Sequence, residues 1–296
     1  MVENKTSQNI HKILGYIFLS IAAILCALPF LVVLSASFSD ETLLAVKGYS
    51  MIPRGFTLEG YSQAFRHSEK LLRSYATTIF VTAVGGTLAT LVTAMTAYPL
   101  SRSNYRYKKA TNFFLYFTML FSGGAIPSYI LISQYLQLKN NILVLILPMM
   151  VNVWNVFMLR TSFSQIPTAV IEAAKIDGAS EWKTFFRVIF PMSVTGIATI
   201  FLLIALAYWN EWYYSLMYMT NEKIFSLQYY LSKTMSNVDE ILRSQQGGAI
   251  MSETSKIPSE TTRMAMCILA AGPMVFIFMF FQKYFIGGIS VGSVKG

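Results

Sequence analysis

Long apolar stretches separated by shorter polar segments run through the whole chain. Several of them reach the about 20 residues that a helix needs to cross the hydrocarbon core of a bilayer. The pattern predicts membrane-spanning helices at residues 14–35, 75–100, 110–135, 142–159, 192–214 and 264–285. We therefore expect an all-α integral membrane protein, a single transmembrane domain over residues 1–296 with six transmembrane helices and both termini on one side.

The basic residues of the short connecting segments predict the orientation. Residues 101–109 carry four, Arg102, Arg106, Lys108 and Lys109, whereas residues 137–141 carry only Lys139. Because short cytoplasmic loops are enriched in Lys and Arg, we expect residues 101–109 to be cytoplasmic. The same orientation makes residues 160–191 and both termini cytoplasmic. It makes 38–73 and 216–263 external loops.

The polar segment 160–191 lies between two apolar stretches, and its residues predict a helix, a sharp bend and a second helix. Thr168 is expected to cap the first helix, Gly178 to end it in a left-handed conformation, and Ser180 to cap the second. Adjacent Ala173 and Ala174 leave room for another chain to approach, and Glu172 and Asp177 offer polar contacts. A bent, rigid segment of this kind suits contact with another subunit.

Two of the predicted spans contain residues that disturb or tighten helix packing. Ser122–Pro127 is expected to break the third span, since proline removes a backbone donor and such backbone needs protein or water around it. The second span carries a face of small residues that favours close helix packing over the lining of a pathway. These residues are Thr78, Thr82, Gly86, Thr90 and Thr93.

Composition narrows the possible functions. Of the 296 residues, 54% are hydrophobic and 12% charged, about half the charged share of a soluble domain. The net charge of +9 is spread over loops, which favours lipid headgroups and not nucleic acid as its partner. No glycine-rich phosphate loop with its lysine occurs, and the predicted spans hold almost no ionisable residues apart from Glu211. A transporter of this composition needs an energy source in another chain.

Sequence motifs in the polar segment resemble those of a known family. Glu172-Ala173-Ala174, then Gly178, then Val188-Ile189-Phe190-Pro191 resembles the cytoplasmic signature loop of membrane subunits of type I ABC importers. Asp177-Gly178-Ala179 is similar to carbohydrate permeases related to the second membrane subunit of maltose importers. Further segments resemble the branch for polysaccharides and complex oligosaccharides. They are residues 121–129, 209–210, 227–228, 282–288 and 292–296.

The resemblance implies a fold and a set of partners. It implies the type I importer transmembrane domain in a bacterial cytoplasmic membrane, paired with a homologous permease subunit, an ABC ATPase dimer and an extracytoplasmic solute-binding protein. It implies no cofactor in this chain, with ATP and Mg bound by the partner ATPase. The ATPase contacts would come from one group of residues. They are Glu172, Ala173, Ala174, Asp177, Gly178 and Ala179.

Amide and aromatic side chains in the fourth span and near the outer end of the fifth span are candidates for a sugar pathway. Asn152, Asn155 and Asn210 carry amides that need a partner or water in hydrocarbon. Trp209 and Tyr213 offer aromatic faces to sugar C–H groups, although membrane anchoring is the stronger explanation for Tyr213.

Alternatives to an oligosaccharide permease remain at this point. The same scaffold could import a different solute, and a membrane enzyme acting on lipid-linked sugars is conceivable, although its clustered acidic or histidine residues are not seen. A second hypothesis concerns the sugar itself. Four cations of the first external loop favour acidic oligosaccharides as substrates, and these are Arg54, Arg66, Lys70 and Arg73.

Overall fold

The structure, a computed structural model, describes residues 5–66, 68–245 and 260–293. These residues form helices joined by turns, with no strand among them, which confirms the all-α prediction. The α-helices are α1 (Lys5–Ser37), α2 (Glu41–Lys47), α3 (Glu59–Ala64), α4 (Ser68–Phe80), α5 (Gly86–Ser101), α6 (Lys108–Leu120), α7 (Ala125–Ile130), α8 (Val153–Ser164), α9 (Thr168–Ile176), α10 (Glu181–Thr184), α11 (Phe190–Met192), α12 (Val194–Trp209), α13 (Tyr213–Tyr218), α14 (Leu227–Gln245) and α15 (Glu260–Ser293). Wider π-helical turns lie at Val81–Gly85, Leu131–Tyr135 and Phe185–Ile189, and 3₁₀ turns at Ile142–Leu145, Leu147–Met149 and Glu222–Ile224.

Among the described residues, three helical segments are long and apolar enough to cross a bilayer without interruption, namely Lys12–Ser37, Ser68–Ser101 and Glu260–Lys283. Three further apolar segments are pairs of helices with a bend between them. The bend is 107° between Lys108–Leu120 and Ala125–Tyr135, 51° between Ile142–Met149 and Val153–Ser164, and 84° between Glu181–Met192 and Val194–Trp209.

Residues 1–68 and 233–272 form one compact unit. In its described part, α2 begins at a cap in which the Asp40 carboxylate accepts hydrogen bonds from the amides of Thr42 and Leu43 at 3.0 and 3.1 Å. The Glu41 side chain accepts hydrogen bonds from the amides of Glu260 and Thr261 at 3.1 and 2.9 Å. The first amides of a helix lack partners within it, so Glu41, which is distant in sequence, caps the amino-terminal end of α15.

Residues 69–232 and 273–296 form the second unit, in which α5 packs against α8 and α12. A glycine just before α5 allows a close approach to α12: a Cβ at Gly85, in the π-helical turn Val81–Gly85, would lie 2.9 Å from the Tyr208 ring. Tyr208 is buried, and its hydroxyl donates to the Ile146 carbonyl at 2.8 Å. Thr78 and Thr93 are also buried, so the packing predicted for the small-residue face is confirmed.

Two of the bends have a local cause in the sequence. The predicted break of the third span is confirmed, since α6 ends before the Ser122–Gly124 segment and Gly124 has a φ of +88°. The stretch 142–159 was expected to be one helix, but 3₁₀ turns around Pro148 precede α8. Pro148 lacks a backbone donor, and the Asn152 side chain then caps the helix that follows.

Other boundaries also differ from the predicted ones. The helix within 192–214 ends at Trp209, where the Asn210 side chain turns back on the helix. The segment 160–191 begins inside α8, contains α9 and α10 and ends inside α11, and the segment 216–263 contains α14. Apolar residues of α14, Leu227 and Leu231 among them, are buried, which explains a helix within an otherwise polar segment.

Candidate coupling elbow and candidate substrate cavity

The elbow, defined here as residues 168–192, turns sharply after α9. The amide of Ala179 donates to the Ala174 carbonyl at 2.9 Å, and the amide of Gly178 donates to the Lys175 carbonyl at 3.0 Å. Gly178 has a φ of +75°. This pair of bonds with a left-handed glycine is the Schellman arrangement, so the turn is fixed by bonds that span at most five residues.

The two helix starts in the elbow differ in how they are capped. The Ser180 hydroxyl accepts a hydrogen bond from the Lys183 amide at 3.3 Å, as predicted for the second helix. The prediction that Thr168 caps the first helix is wrong. Thr168 is itself the first helical residue, Pro167 occupies the cap position, and no side-chain cap bond forms there. Pro167 fixes the backbone just before the helix and leaves the Thr168 hydroxyl one position too late to cap it.

Glu181 connects the elbow to the end of α5. Its carboxylate accepts a hydrogen bond from the Tyr98 hydroxyl at 2.8 Å and forms an ion pair with Lys175 at 2.6 Å. Tyr98 is buried and its ring lies 5.3 Å from that of Phe185. The ion pair is solvent-exposed and contributes little energy, but the contacts together fix the position of both elbow helices relative to α5.

The residues predicted to contact an ATPase lie on the accessible side of the elbow. Glu172, Ala173, Asp177 and Gly178 are exposed, Ala174 and Ala179 are half-buried, and the buried Ile171 holds the opposite side of α9.

Large apolar side chains are exposed beside these residues. Ile176 is 86% exposed and Trp182 59% exposed, and the Trp182 ring stacks on the Phe186 ring at 6.0 Å. Exposed apolar residues on an otherwise polar segment are typical of a protein–protein contact surface. The geometry is therefore that of a rigid projection with an accessible, partly apolar surface.

A cavity of about 550 Å³ lies between α7, the turn that follows it and α13. Its polar wall is formed by Ser122, Ser128, Tyr213, Tyr214 and Tyr218, and its apolar wall includes Leu131, Leu136 and Pro148. The Tyr218 ring stacks on Tyr129 at 5.5 Å and on Tyr214 at 6.1 Å. Hydroxyl groups beside stacked aromatic rings suit a sugar, which presents both hydroxyls and apolar C–H surfaces.

Of the five residues predicted for a sugar pathway, Tyr213 lines this cavity and is 40% exposed. Asn152 caps α8 through the Asn155 amide at 3.3 Å, and Asn155 is buried. Trp209 is 2% exposed and its ring lies 6.5 Å from that of Tyr75. The Asn210 amide group donates to the Leu206 carbonyl at 2.9 Å. The structure does not bring these last four residues to the cavity.

The rim, defined here as Asn140 and the residues it bonds, adjoins the cavity, because the Asn140 amide donates to the carbonyl of Tyr218, a cavity residue, at 3.1 Å. Asn140 was not among the predicted residues. Its side-chain oxygen accepts hydrogen bonds from the amides of Thr220 and Asn221 at 2.7 and 3.0 Å. Asn140 has a φ of +58°, a conformation that asparagine tolerates better than most residues. The sequence signal is the asparagine pair at the end of the short polar segment 137–141, and this signal does not identify the distant residues that Asn140 bonds.

The described residues contain no cluster of His, Cys, Asp and Glu that could hold a metal ion. Apolar spans, an exposed elbow and a polar, aromatic-lined cavity together define a helical membrane protein of the transport class.

Comparison with known families agrees with this class. Residues 86–291 match the family of binding-protein-dependent transport system inner membrane components, and the chain belongs to that family. It is therefore a membrane subunit of a transport system and not an enzyme.

Relatives of similar length include two from Bacillus subtilis (strain 168). The polygalacturonan/rhamnogalacturonan transport system permease protein YtcP is 34% identical over 291 residues, which is 98% of this chain and 99% of the relative. Protein LplC is 32% identical over 295 residues, 100% of this chain and 98% of the relative. Among solved structures, a chain of a bacterial ABC transporter involved in the import of the acidic polysaccharide alginate has a TM-score of 0.77 at 27% identity. The match covers 94% of this chain and 98% of that one.

Proposed function

We propose that this chain is one permease subunit of an ATP-driven importer of oligosaccharides, in particular acidic ones, with a six-span type I transmembrane domain. The elbow and both termini face the cytoplasm. A homologous permease subunit, an ABC ATPase dimer that binds ATP and Mg, and an extracytoplasmic solute-binding protein complete the assembly. Family membership supports this arrangement. Three features of the chain that do not depend on the substrate also support it, namely its apolar spans, the elbow and the basic loop at 101–109.

The geometry of the elbow is the observation that carries the proposal for energy coupling. To move a two-state transporter from 1:99 to 99:1 takes about 5.5 kcal/mol of differential binding. A flexible loop would not transmit this free energy, because it would change its own conformation instead. The turn at Gly178 is fixed by its own backbone bonds, and Glu181 connects it to α5. In the proposed mechanism, ATP-dependent closure of the ATPase dimer displaces the elbow, and α5 and its packed neighbours move with it.

The relatives carry the proposal for acidic substrates. One relative is named for polygalacturonan and rhamnogalacturonan, and the structural neighbour is a chain of an ABC transporter involved in the import of alginate. The external cations give weaker support, since Lys70 pairs with Glu222 at 2.6 Å and Arg73 with Glu69 at 2.7 Å. We propose that the saccharide passes the cavity beside Tyr213, and that its hydroxyls exchange hydrogen bonds with Ser122 and Ser128.

Replacement of the most exposed apolar residue of the elbow tests the coupling proposal. Ile176→Glu is expected to reduce both co-purification of the ATPase and ATP-dependent uptake by about tenfold, the effect of losing a contact residue worth about 1.4 kcal/mol. Val46→Glu is the matched control, because Val46 is 83% exposed on α2 and far from the elbow in sequence. Normal ATPase yield together with normal uptake in the Ile176 variant would contradict the proposal.

Competition between sugars tests the substrate. Cells that contain the intact transporter and its binding protein are given labelled galacturonate oligomers with either unlabelled galacturonate oligomers or neutral galactose oligomers. We expect only the acidic competitor to suppress uptake. Suppression by the neutral oligomer alone would exclude acidic saccharides as the preferred substrate, and no saccharide uptake would favour a different solute.

A further inference from the structure

A second cavity, of about 410 Å³, lies where the end of α5 meets the start of α10. One wall is apolar and includes Met95, Pro99 and Phe185. The other wall carries Arg102, Asn104 and Arg106, with the aromatic rings of Tyr105 and Trp182 beside them. The cavity thus has a cationic end and an apolar end, and it lies outside the cavity proposed for the sugar.

The charge of the cavity favours an anion. Glu181 also lines it, but its carboxylate is paired with Lys175 at 2.6 Å and accepts a hydrogen bond from Tyr98. Arg102 also acts on that carboxylate, and the Arg106 guanidinium carbon lies 5.7 Å from the centroid of the Tyr107 ring. The lining therefore carries two guanidinium groups against one carboxylate that Lys175 also neutralises, which leaves a net positive charge for a ligand. Guanidinium groups bind phosphate oxygens with paired hydrogen bonds, which gives them a preference for phosphate over most other anions.

An exposed apolar stripe leads along the helix to this cationic end. Val84, Leu88 and Met95 are each between 36% and 43% exposed, and they precede Pro99 and Arg102 on the same side at helical spacing. From Leu88 to Arg102 the helix rises about 21 Å, somewhat more than the about 15 Å of one leaflet's hydrocarbon. A ligand with a phosphate at one end and a long apolar chain at the other fits this arrangement.

We infer that this cavity binds the headgroup of an anionic phospholipid of the leaflet on the side of residues 101–109, with an acyl chain along Met95 and Leu88. Arg102 and Arg106 bind the phosphate, and Trp182 and Tyr105 lie at the level of the headgroups, where such rings are enriched. Because Trp182 and Glu181 belong to α10, the lipid contacts the elbow directly and stabilises its position beside α5.

Native mass spectrometry of the assembled transporter, released from nanodiscs of equal parts phosphatidylglycerol and phosphatidylcholine, tests the inference. The complex is expected to retain phosphatidylglycerol in preference. Arg102→Gln and Arg106→Gln should each lower the retained amount about fivefold, the effect of one basic residue at a membrane surface. Lys109→Gln is the matched control, because Lys109 carries the same charge in the same loop but does not line the cavity.

The outcomes separate this site from its alternatives. Arg102→Lys should restore part of the retained lipid, because lysine returns the charge without the paired hydrogen bonds. A partial recovery shows that the glutamine variants lose charge and not the fold. An equal loss in the Lys109 variant would overturn the inference, since it would show only general surface charge. If an equimolar amount of soluble glycerol 1-phosphate displaces the lipid, the acyl chain adds nothing to binding, and the inference is overturned in favour of a free phosphate ligand. So would a photoreactive phosphatidylglycerol that labels no peptide from residues 95–106 or 181–185.

Discussion

The elbow and the rim of the proposed sugar cavity are both sharp turns, but they are stabilised in different ways. At the elbow, the bonds around Gly178 join residues at most five positions apart. At the rim, the Asn140 side chain bonds to Thr220, 80 residues away. A turn closed by its own backbone keeps its shape when its surroundings move, whereas a clamp between distant segments opens when those segments separate. The two turns therefore suit the two tasks of a transporter, transmission of force and opening of a passage.

The largest effect is expected from Gly178→Val, which removes the rigidity of the elbow. A β-branched residue at positive φ costs about 1–3 kcal/mol, although a Cβ there would meet no neighbour within 4 Å. We expect the turn to unwind, and ATP-dependent uptake and ATPase co-purification to fall by tenfold or more, as about 1.4 kcal/mol per tenfold requires. The measurements are ATP-dependent sugar uptake into cells and the yield of ATPase that co-purifies with the variant.

Two controls define the cause of that effect. Gly178→Asn should retain most activity, because asparagine tolerates the left-handed conformation. Gly48→Val places the same side chain at another glycine of positive φ with no neighbour within 4 Å, but outside the elbow, and should leave the ATPase yield unchanged. Full uptake in Gly178→Val would show that the elbow transmits no force through this turn.

A smaller effect is expected at the rim. Asn140→Ala removes the acceptor for two amides and places alanine at a φ of +58°, so we expect a loss of about 1–2 kcal/mol in the free energy that closes the clamp. The melting temperature of the detergent-solubilised transporter should fall, while ATPase co-purification stays normal.

Asn140→Asp is the matched variant for the rim. Aspartate keeps an acceptor for the amides of Thr220 and Asn221, and it loses only the donor that reaches the Thr220 hydroxyl at 2.8 Å. We expect a melting temperature close to that of the unchanged protein. If the aspartate and alanine variants lose equal stability, the side-chain acceptor does not close the clamp.

The smallest effect is expected from Ser180→Ala, which removes the cap of α10. Loss of a serine cap costs about 0.5–1 kcal/mol where the bond is long and exposed, as it is here. The Lys183 amide should then exchange its hydrogen about two- to fivefold faster, measured by hydrogen exchange with mass spectrometry. Ser180→Asp should restore slow exchange, and unchanged exchange in the alanine variant would show that the hydroxyl does not cap the helix.

The contrast between local and long-range contacts also explains which features could be predicted from the sequence. The turn at Gly178 and the cap at Ser180 were predicted because residues a few positions apart determine them. The Thr168 cap was not correctly predicted, since Pro167 shifts the helix start by one residue. The break at Gly124 was predicted, but the second break near Pro148 was not. The stretch 142–159 has the length and apolar character of one continuous span, and a single proline was not enough to predict a break within it.

The cavity lay beyond sequence reasoning for a different reason. Ser122, Ser128 and Tyr213 meet only because α7 and α13 are brought together, and no local pattern specifies that approach. Trp209 shows the converse. An aromatic residue near a membrane face suggests a binding surface, yet tertiary packing buries it against Tyr75.

Two glycines, one where the turn before α5 meets α12 and one where α12 meets α8, have a mechanical consequence. At Gly85 a single added methyl would collide with Tyr208, and at Gly196 it would collide with the Ser162 side chain. Helices that interlock this closely cannot slide past one another without first moving apart. In the coupling mechanism proposed above, α8 and α12 therefore move together with α5 along its length of about 24 Å.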